Sequence, residues 1–145
     1  MPVGVEATVV SHFILEVAGM QAVLFQTCSG LGSTSEVIEH KITDEFGKEV
    51  VRKIPGRLMW SNLVFKRGVN QDKSLWAWRQ LVIANKMAEA RKNGTVTAMG
   101  QEGLPIKRWE FVRGWPCEWQ VSSPLDASAI VVETIEIAHE GLLQV

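Results

Sequence analysis

The chain has 145 residues, 46% hydrophobic and 21% charged, with 15 basic against 16 acidic side chains and a formal net charge of −1. These values fit one globular domain and exclude a disordered segment; with no basic cluster, they also argue against a nucleic-acid groove or a polybasic lipid contact. Apolar runs such as "IVV" and "LVIA" fall far short of the ~20 residues a membrane helix requires. The start, "MPVGVEATVVSHF", lacks the basic region and long apolar core of a signal peptide, so synthesis in the cytoplasm is expected. Cys28 and Cys117 are too few for a disulfide framework and are expected to be unpaired.

Most of the chain has the two-residue period of strands. From Ser11, "SHFILEVAG" sets Phe13, Leu15 and Val17 opposite His12 and Glu16, and Gly19-Met20 offers a hairpin turn into "QAVLFQTCSG". Ser33–Ile42 is polar on both faces except at Val37 and Ile38. Thr43–Gly56 carries both charges and has no apolar periodicity until Val50-Val51, which predicts a projecting hairpin or loop; such a run can dock on another subunit or simply keep a loop solvated. Arg57–Gly68 is apolar-rich again. After a helical stretch come "GTVTAMG", "PIKRWEFVRGW", "CEWQVSS" and "AIVVETIEIAHEG". About eight strands and one helix predict a mainly β protein, a sandwich or barrel flanked by a single helix at about residues 72–92.

That helix reads from Asp72, a good N-cap, to Asn93-Gly94, a good stop, with Lys86, Arg91 and Lys92 suited to the negative end of its dipole. At 100° per residue, Leu75, Trp78, Leu81 and Val82 form one stripe, and Trp76, Ile83 and Met87 form another nearly opposite. A helix apolar on two faces must be covered on two faces. The last strand gives the same hint, with Val131, Ile135 and Ile137 on one side and Ile130, Val132 and Ala138 on the other. A central strand beneath the helix would account for that pattern; together with the helix it points to a protomer covered by neighbours. Six tryptophans and no tyrosine, clustered after residue 59, suit either a bulky core or an interface.

Signals for catalysis are weak. His12, His40 and His139 lie far apart, with no zinc-ligand spacing, and no nucleophile elbow surrounds a serine. "GLG" at Gly30–Gly32 lacks the helix start of a phosphate loop. The carboxylate pairs Glu133/Glu136 and Glu102/Glu110 are of an ordinary surface kind, and His139 beside Glu140 reads as a structural histidine. No catalytic residue, metal site or cofactor is expected.

Five stretches occur in order: "VRKIPG" (Val51–Gly56), "FKRGV" (Phe65–Val69), "LWAWR" (Leu75–Arg79), "RWEFVRGWPCEW" (Arg108–Trp119) and "ETIEIAHEGL" (Glu133–Leu142). Together they make the chain resemble, from about Ser11 to Val145, the inner-tube proteins of contractile injection systems. That group comprises phage tail tubes and phage-tail-like particles and is related in fold to the type VI secretion tube protein. The resemblance implies hexameric rings that stack into a hollow tube, which sheath contraction drives through a target envelope. The partners it implies are further copies of the chain, a sheath protein, baseplate or spike and tube-terminating proteins, and protein cargo in the lumen, with DNA passage only in a phage tail. An initiator or adaptor ring between spike and tube is the alternative; a small β-barrel ligand-binding module or enzyme is a remote one. In the family the Thr43–Gly56 segment contacts adjacent subunits or rings, which makes Asp44, Glu45, Phe46, Lys48 and Glu49 interface candidates, with Arg52 and Lys53 beside them. Trp76, Ile83 and Met87 join them from the helix. Ser33, Ser35, Glu36, Glu39 and Lys41 are the candidates for a water-filled lumen.

Overall fold

The computed structural model describes residues 8–122 and 129–145. Residues 1–7, on which half of the signal-peptide reading rests, and Ser123, the end of the "CEWQVSS" strand, lie outside the described residues.

Among the described residues ten strands are present where about eight are expected. They are β1 (Val10–Val17), β2 (Val23–Phe25), β3 (Thr27–Ser29), β4 (Ser33–Thr43), β5 (Glu49–Trp60), β6 (Leu63–Gly68), β7 (Lys92–Gly100), β8 (Pro105–Val121), β9 (Val132–Ala138) and β10 (Gly141–Gln144). Eight of them form one antiparallel sheet in the order β2-β1-β7-β8-β9-β6-β3, with β10 also on β8. Because β2 and β3 are consecutive, and Gln26 between them donates its N–H to Lys66 O of β6 at 3.0 Å, the two ends of the sheet meet and it curls into a barrel. Curling removes the open edges that a flat sheet would expose. The expected turn at Gly19 is formed: its φ is 79°, and Met20 N–H donates to Val17 O.

Long β8 serves two neighbourhoods. It pairs with β10 up to Val112 and with β7 up to Gly114, and from Trp115 it pairs with β9. The change falls at Arg113, whose φ is 50°, and at Gly114. The Phe111 ring lies between Gly94 and Gly114, where a Cβ would stand 2.3 Å and 2.4 Å from ring atoms. Glycine is therefore required at both positions by the close approach of a fully buried aromatic ring. Around it pack Leu15, Val17, Phe25, Leu63, Phe65, Val96, Ile135 and Ile137. In β9, which is flanked by β6 and β8, Glu133, Ile135 and Ile137 are buried and the other face, Val132 to Ala138, is half-buried; Ile130, expected on that second side, lies outside the strand and is exposed.

The single helix of about 72–92 is not what forms. Helix α1 spans Ser74–Ile83 and a four-residue α2 spans Met87–Ala90. Between them Asn85 takes φ 61°, Asn85 N–H donates to Val82 O, and Lys86 N–H donates to Leu81 O. That pair of bonds is a Schellman stop with asparagine in the left-handed position usually held by glycine. Asn93-Gly94, the expected stop, belongs to β7 instead, and none of Lys86, Arg91 and Lys92 lies in the last turn of α1. At the other end Asp72 Oδ1 accepts the Ser74 N–H at 3.0 Å, one residue ahead of the structural N-cap, Lys73. Leu75 and Trp78 of α1 reach the barrel core, and Trp78 Nε1 donates to Ala90 O at 2.7 Å, tying α2 beneath α1.

Candidate assembly surfaces

Among the described residues strands β4 and β5 pair only with each other, as an antiparallel ribbon that leaves the barrel. The segment 43–56 is thus a tight turn followed by the first half of β5. Asp44 builds the turn: its Oδ1 accepts the N–H groups of Phe46 and Lys48 at 2.9 and 2.8 Å, and its own N–H donates to Lys48 O. Gly47, at φ 77°, supplies the left-handed step that such a turn needs. At the tip, Phe46 is 87% exposed.

Alternation along the ribbon sorts its residues into two faces. One face carries Ser33, Ser35, Val37, Glu39 and Lys41 of β4, opposite Trp60, Leu58, Pro55, Lys53 and Val51 of β5. The other carries Ile38, His40 and Ile42, opposite Ile54, Arg52 and Val50. The register shifts between Ser35 and Val37, so that Gly56 and Arg57 together face Glu36. Of the lumen candidates, Ser33, Ser35, Glu39 and Lys41 therefore share a face, and Glu36 lies on the opposite one. Lys53 stands across from Glu39, and Arg52 across from His40 on the reverse side. Lys41 pairs with Glu49 at 3.8 Å and Arg57 with Glu36 at 3.5 Å; both pairs are exposed, so each adds little to stability. The exposed apolar residues of the ribbon, Val37, Ile38, Val51, Ile54, Leu58 and Met59, are not among the interface candidates read from the sequence, although Val37, Ile38 and Val51 stand out there as apolar. Their signal was present in "VRKIPGRLM", where charged and apolar residues interleave.

On the other flank, α1 lies against the second half of β8. Arg79 Nη1 donates to Pro116 O at 2.9 Å, and the Trp76 ring meets Trp119 at 5.2 Å between centroids. Trp76 and Ile83 are 44% and 61% exposed, whereas Met87, on the far side of the helix break, is half-buried and not on their stripe.

Four of the residues considered for chemistry, His139, Glu140, Glu136 and Glu133, have structural partners. His139 Nε2 lies 2.9 Å from Ser61 O and Nδ1 accepts the Gly141 N–H at 3.2 Å, which fixes the Nε2–H tautomer. Glu140 pairs with Arg113. Glu136 accepts from Asn62 Nδ2 at 3.0 Å. Glu133 is bound to Arg67. Burial pushes the Cys28 thiol up to about 12; burial and then the neighbouring Glu136 carboxylate push Cys117 to about 11. Both cysteines are free, and their thiols stay protonated and unreactive at neutral pH. Among the described residues no cluster of His, Cys, Asp and Glu could hold a metal ion, and no helix is long and apolar enough to cross a membrane.

A barrel with a projecting ribbon and a half-covered helix invites comparison with known proteins. The family of the T4-like virus tail tube protein gp19 matches residues 9–143. The chain belongs to that tail tube family. This tail tube protein is a structural tube subunit, and its fold recurs in distant relatives. It is similar to a chain of the sheath-tube complex of an extracellular contractile injection system, PVC, in its extended state, with 21% identity over 95% of this chain and 90% of that one and a TM-score of 0.71. A chain of the anti-feeding prophage (AFP) baseplate is 20% identical over 100% and 97% of the two chains, with a TM-score of 0.73. Hcp1 from Flavobacterium johnsoniae is 16% identical over 92% and 94%, with a TM-score of 0.53. No curated protein sequence matches this chain.

Proposed function

We propose that this chain forms hexameric rings that stack into the hollow inner tube of a contractile, phage-tail-like injection system. The carrying observation is the β4–β5 ribbon: both its faces bear apolar residues, and among the described residues its two strands pair with each other but with no strand of the barrel. In the ring, each ribbon lies against the next subunit, with Asp44, Glu45, Phe46, Lys48 and Glu49 at the ring-to-ring contact. Arg52 and Lys53 flank that contact. The face with Ser33, Ser35, Glu39 and Lys41 turns to the lumen, where protein cargo travels, while Glu36 belongs to the reverse face. Trp76 and Ile83 are covered by a neighbouring copy, with Met87 at the rim of that contact. The sheath, baseplate and tube-terminating cap named with the similar structures are the further partners, and the particle acts outside the cell that makes it. The action is mechanical, with no catalysed step: an open-ended stack of closed rings forms a rigid rod that a contracting sheath can push.

Electron microscopy of the purified chain tests this, with size-exclusion chromatography alongside. Rings and stacked tubes are expected. A monodisperse monomer at high concentration would overturn the reading, and single rings that never lengthen would assign the chain to an adaptor position between spike and tube.

A further inference from the structure

Arg67 of β6 and Glu133 of β9 stand directly across from each other, and each is 6% exposed. Arg67 Nε donates to Glu133 Oε1 at 2.7 Å, and Nη1 donates to Asp72 Oδ2 at 3.1 Å. The second carboxylate oxygen looks the other way: Glu133 Oε2 accepts from Trp119 Nε1 at 2.7 Å. Trp119 then meets Trp76, tilted by 58°. An unbroken chain of contacts thus runs from a buried guanidinium to an exposed indole on α1.

A buried ion pair is a poor device for stability alone, since apolar residues of similar volume often serve as well. What the carboxylate adds here is a second, directional acceptor. An indole has one N–H, so a single acceptor fixes both where the ring sits and how it is turned. Without it, Trp119 could turn about its side-chain bonds, and Trp76 would lose the surface it leans on.

We propose that Glu133 is a positioning residue for the Trp76–Trp119 shelf, so that the buried pair with Arg67 sets the shape of the surface a second copy of this chain meets. The consequence for assembly rests on the tube reading; the positioning itself does not. The occupant, a second copy of this chain, is the one the tube reading supplies, and Ile83 extends the exposed apolar surface it would meet along α1.

Glu133→Gln is the discriminating variant. Arg67 Nε and Trp119 Nε1 donate to different carboxylate oxygens, and the amide sets an NH2 donor in place of one of them, so one of the two bonds is lost. The charged guanidinium holds the oxygen more strongly, and the indole is released. Glu133→Asp, which keeps the charge but shortens the reach, should release it too. The readout within the protomer is exciton-coupled circular dichroism from the two tilted indoles. Both variants are expected to lose the couplet while keeping cooperative unfolding, and to need about tenfold more protein to assemble, roughly the worth of one aromatic contact.

A couplet retained in either folded variant would overturn the proposal, as would a lost couplet with unchanged assembly. If both variants fail to fold, the wild-type chain still decides: of its six indole N–H protons, that of Trp119 should be among the slowest to exchange, and fast exchange would sink the idea. Absence of rings from wild-type protein would remove the tube reading and leave the couplet to judge the positioning.

Discussion

Trp76 and Trp78 are two residues apart and have opposite surroundings. Trp78 is 2% exposed and spends its indole N–H on Ala90 O, while Trp76 keeps an open face. Trp78→Ala should therefore cost about 3–5 kcal/mol of protomer stability in urea unfolding, the usual range for truncating a core aromatic. Trp76→Ala should leave the unfolding midpoint nearly unchanged and shift assembly to higher concentration. Equal loss of protomer stability in both would refute the two-face account. This contrast was readable from spacing alone, because 200° of rotation separates the pair whatever the tertiary structure. The role of Glu133 was not. Its partner Arg67 is 66 positions away in the chain, and nothing in "VVETIEIA" says that one of its two polar carboxylates faces the core.

The first turn of α1 is held by Asp72, which also meets Arg67. Burial pushes the Asp72 carboxyl up, but hydrogen bonds from the Ser74 backbone and hydroxyl and from Arg67, with the charge of that guanidinium, hold it below the usual carboxylate range. A carboxylate depressed in the folded state contributes stability above its unfolded pKa of about 3.9, and that stability is lost as pH falls through the folded value. Asp72→Asn should therefore lower stability at neutral pH and flatten its decline below about pH 4, as measured by thermal unfolding across pH. An acid limb as steep as that of wild type would contradict this. Strands were found by their two-residue period, and the start of the helix by Asp72. The end of the helix was misplaced for a physical reason. Glycine is the stronger stop on propensity, but the bulk of Phe111 requires Gly94 in a strand, leaving the left-handed turn to Asn85. Which role a glycine plays depends on what packs over it, and that is a tertiary fact.

For the whole molecule, the division is between a barrel that encloses its own core and a ribbon that encloses nothing. Mixed charge and weak periodicity from Thr43 to Gly56 marked the projection, but its second half forms a strand because β4 supplies a partner in register. Replacing residues 37–55 by a short turn should leave a folded, cooperatively unfolding barrel that no longer makes rings. Loss of the barrel fold in that variant, or continued assembly, would show that the ribbon is not the assembly element.

A two-stranded ribbon alone in water is only marginally stable. In the free chain its amide protons should exchange quickly, and in the polymer slowly. Ordering it then costs conformational entropy at the moment of association, when contacts with the next copy offset that loss. Growth from dilute protomers should therefore begin with a lag and accelerate once a template exists, so that a preformed ring decides where a tube starts. The Asp44 turn, a local detail of hydrogen bonding, would then help set the height of that nucleation barrier.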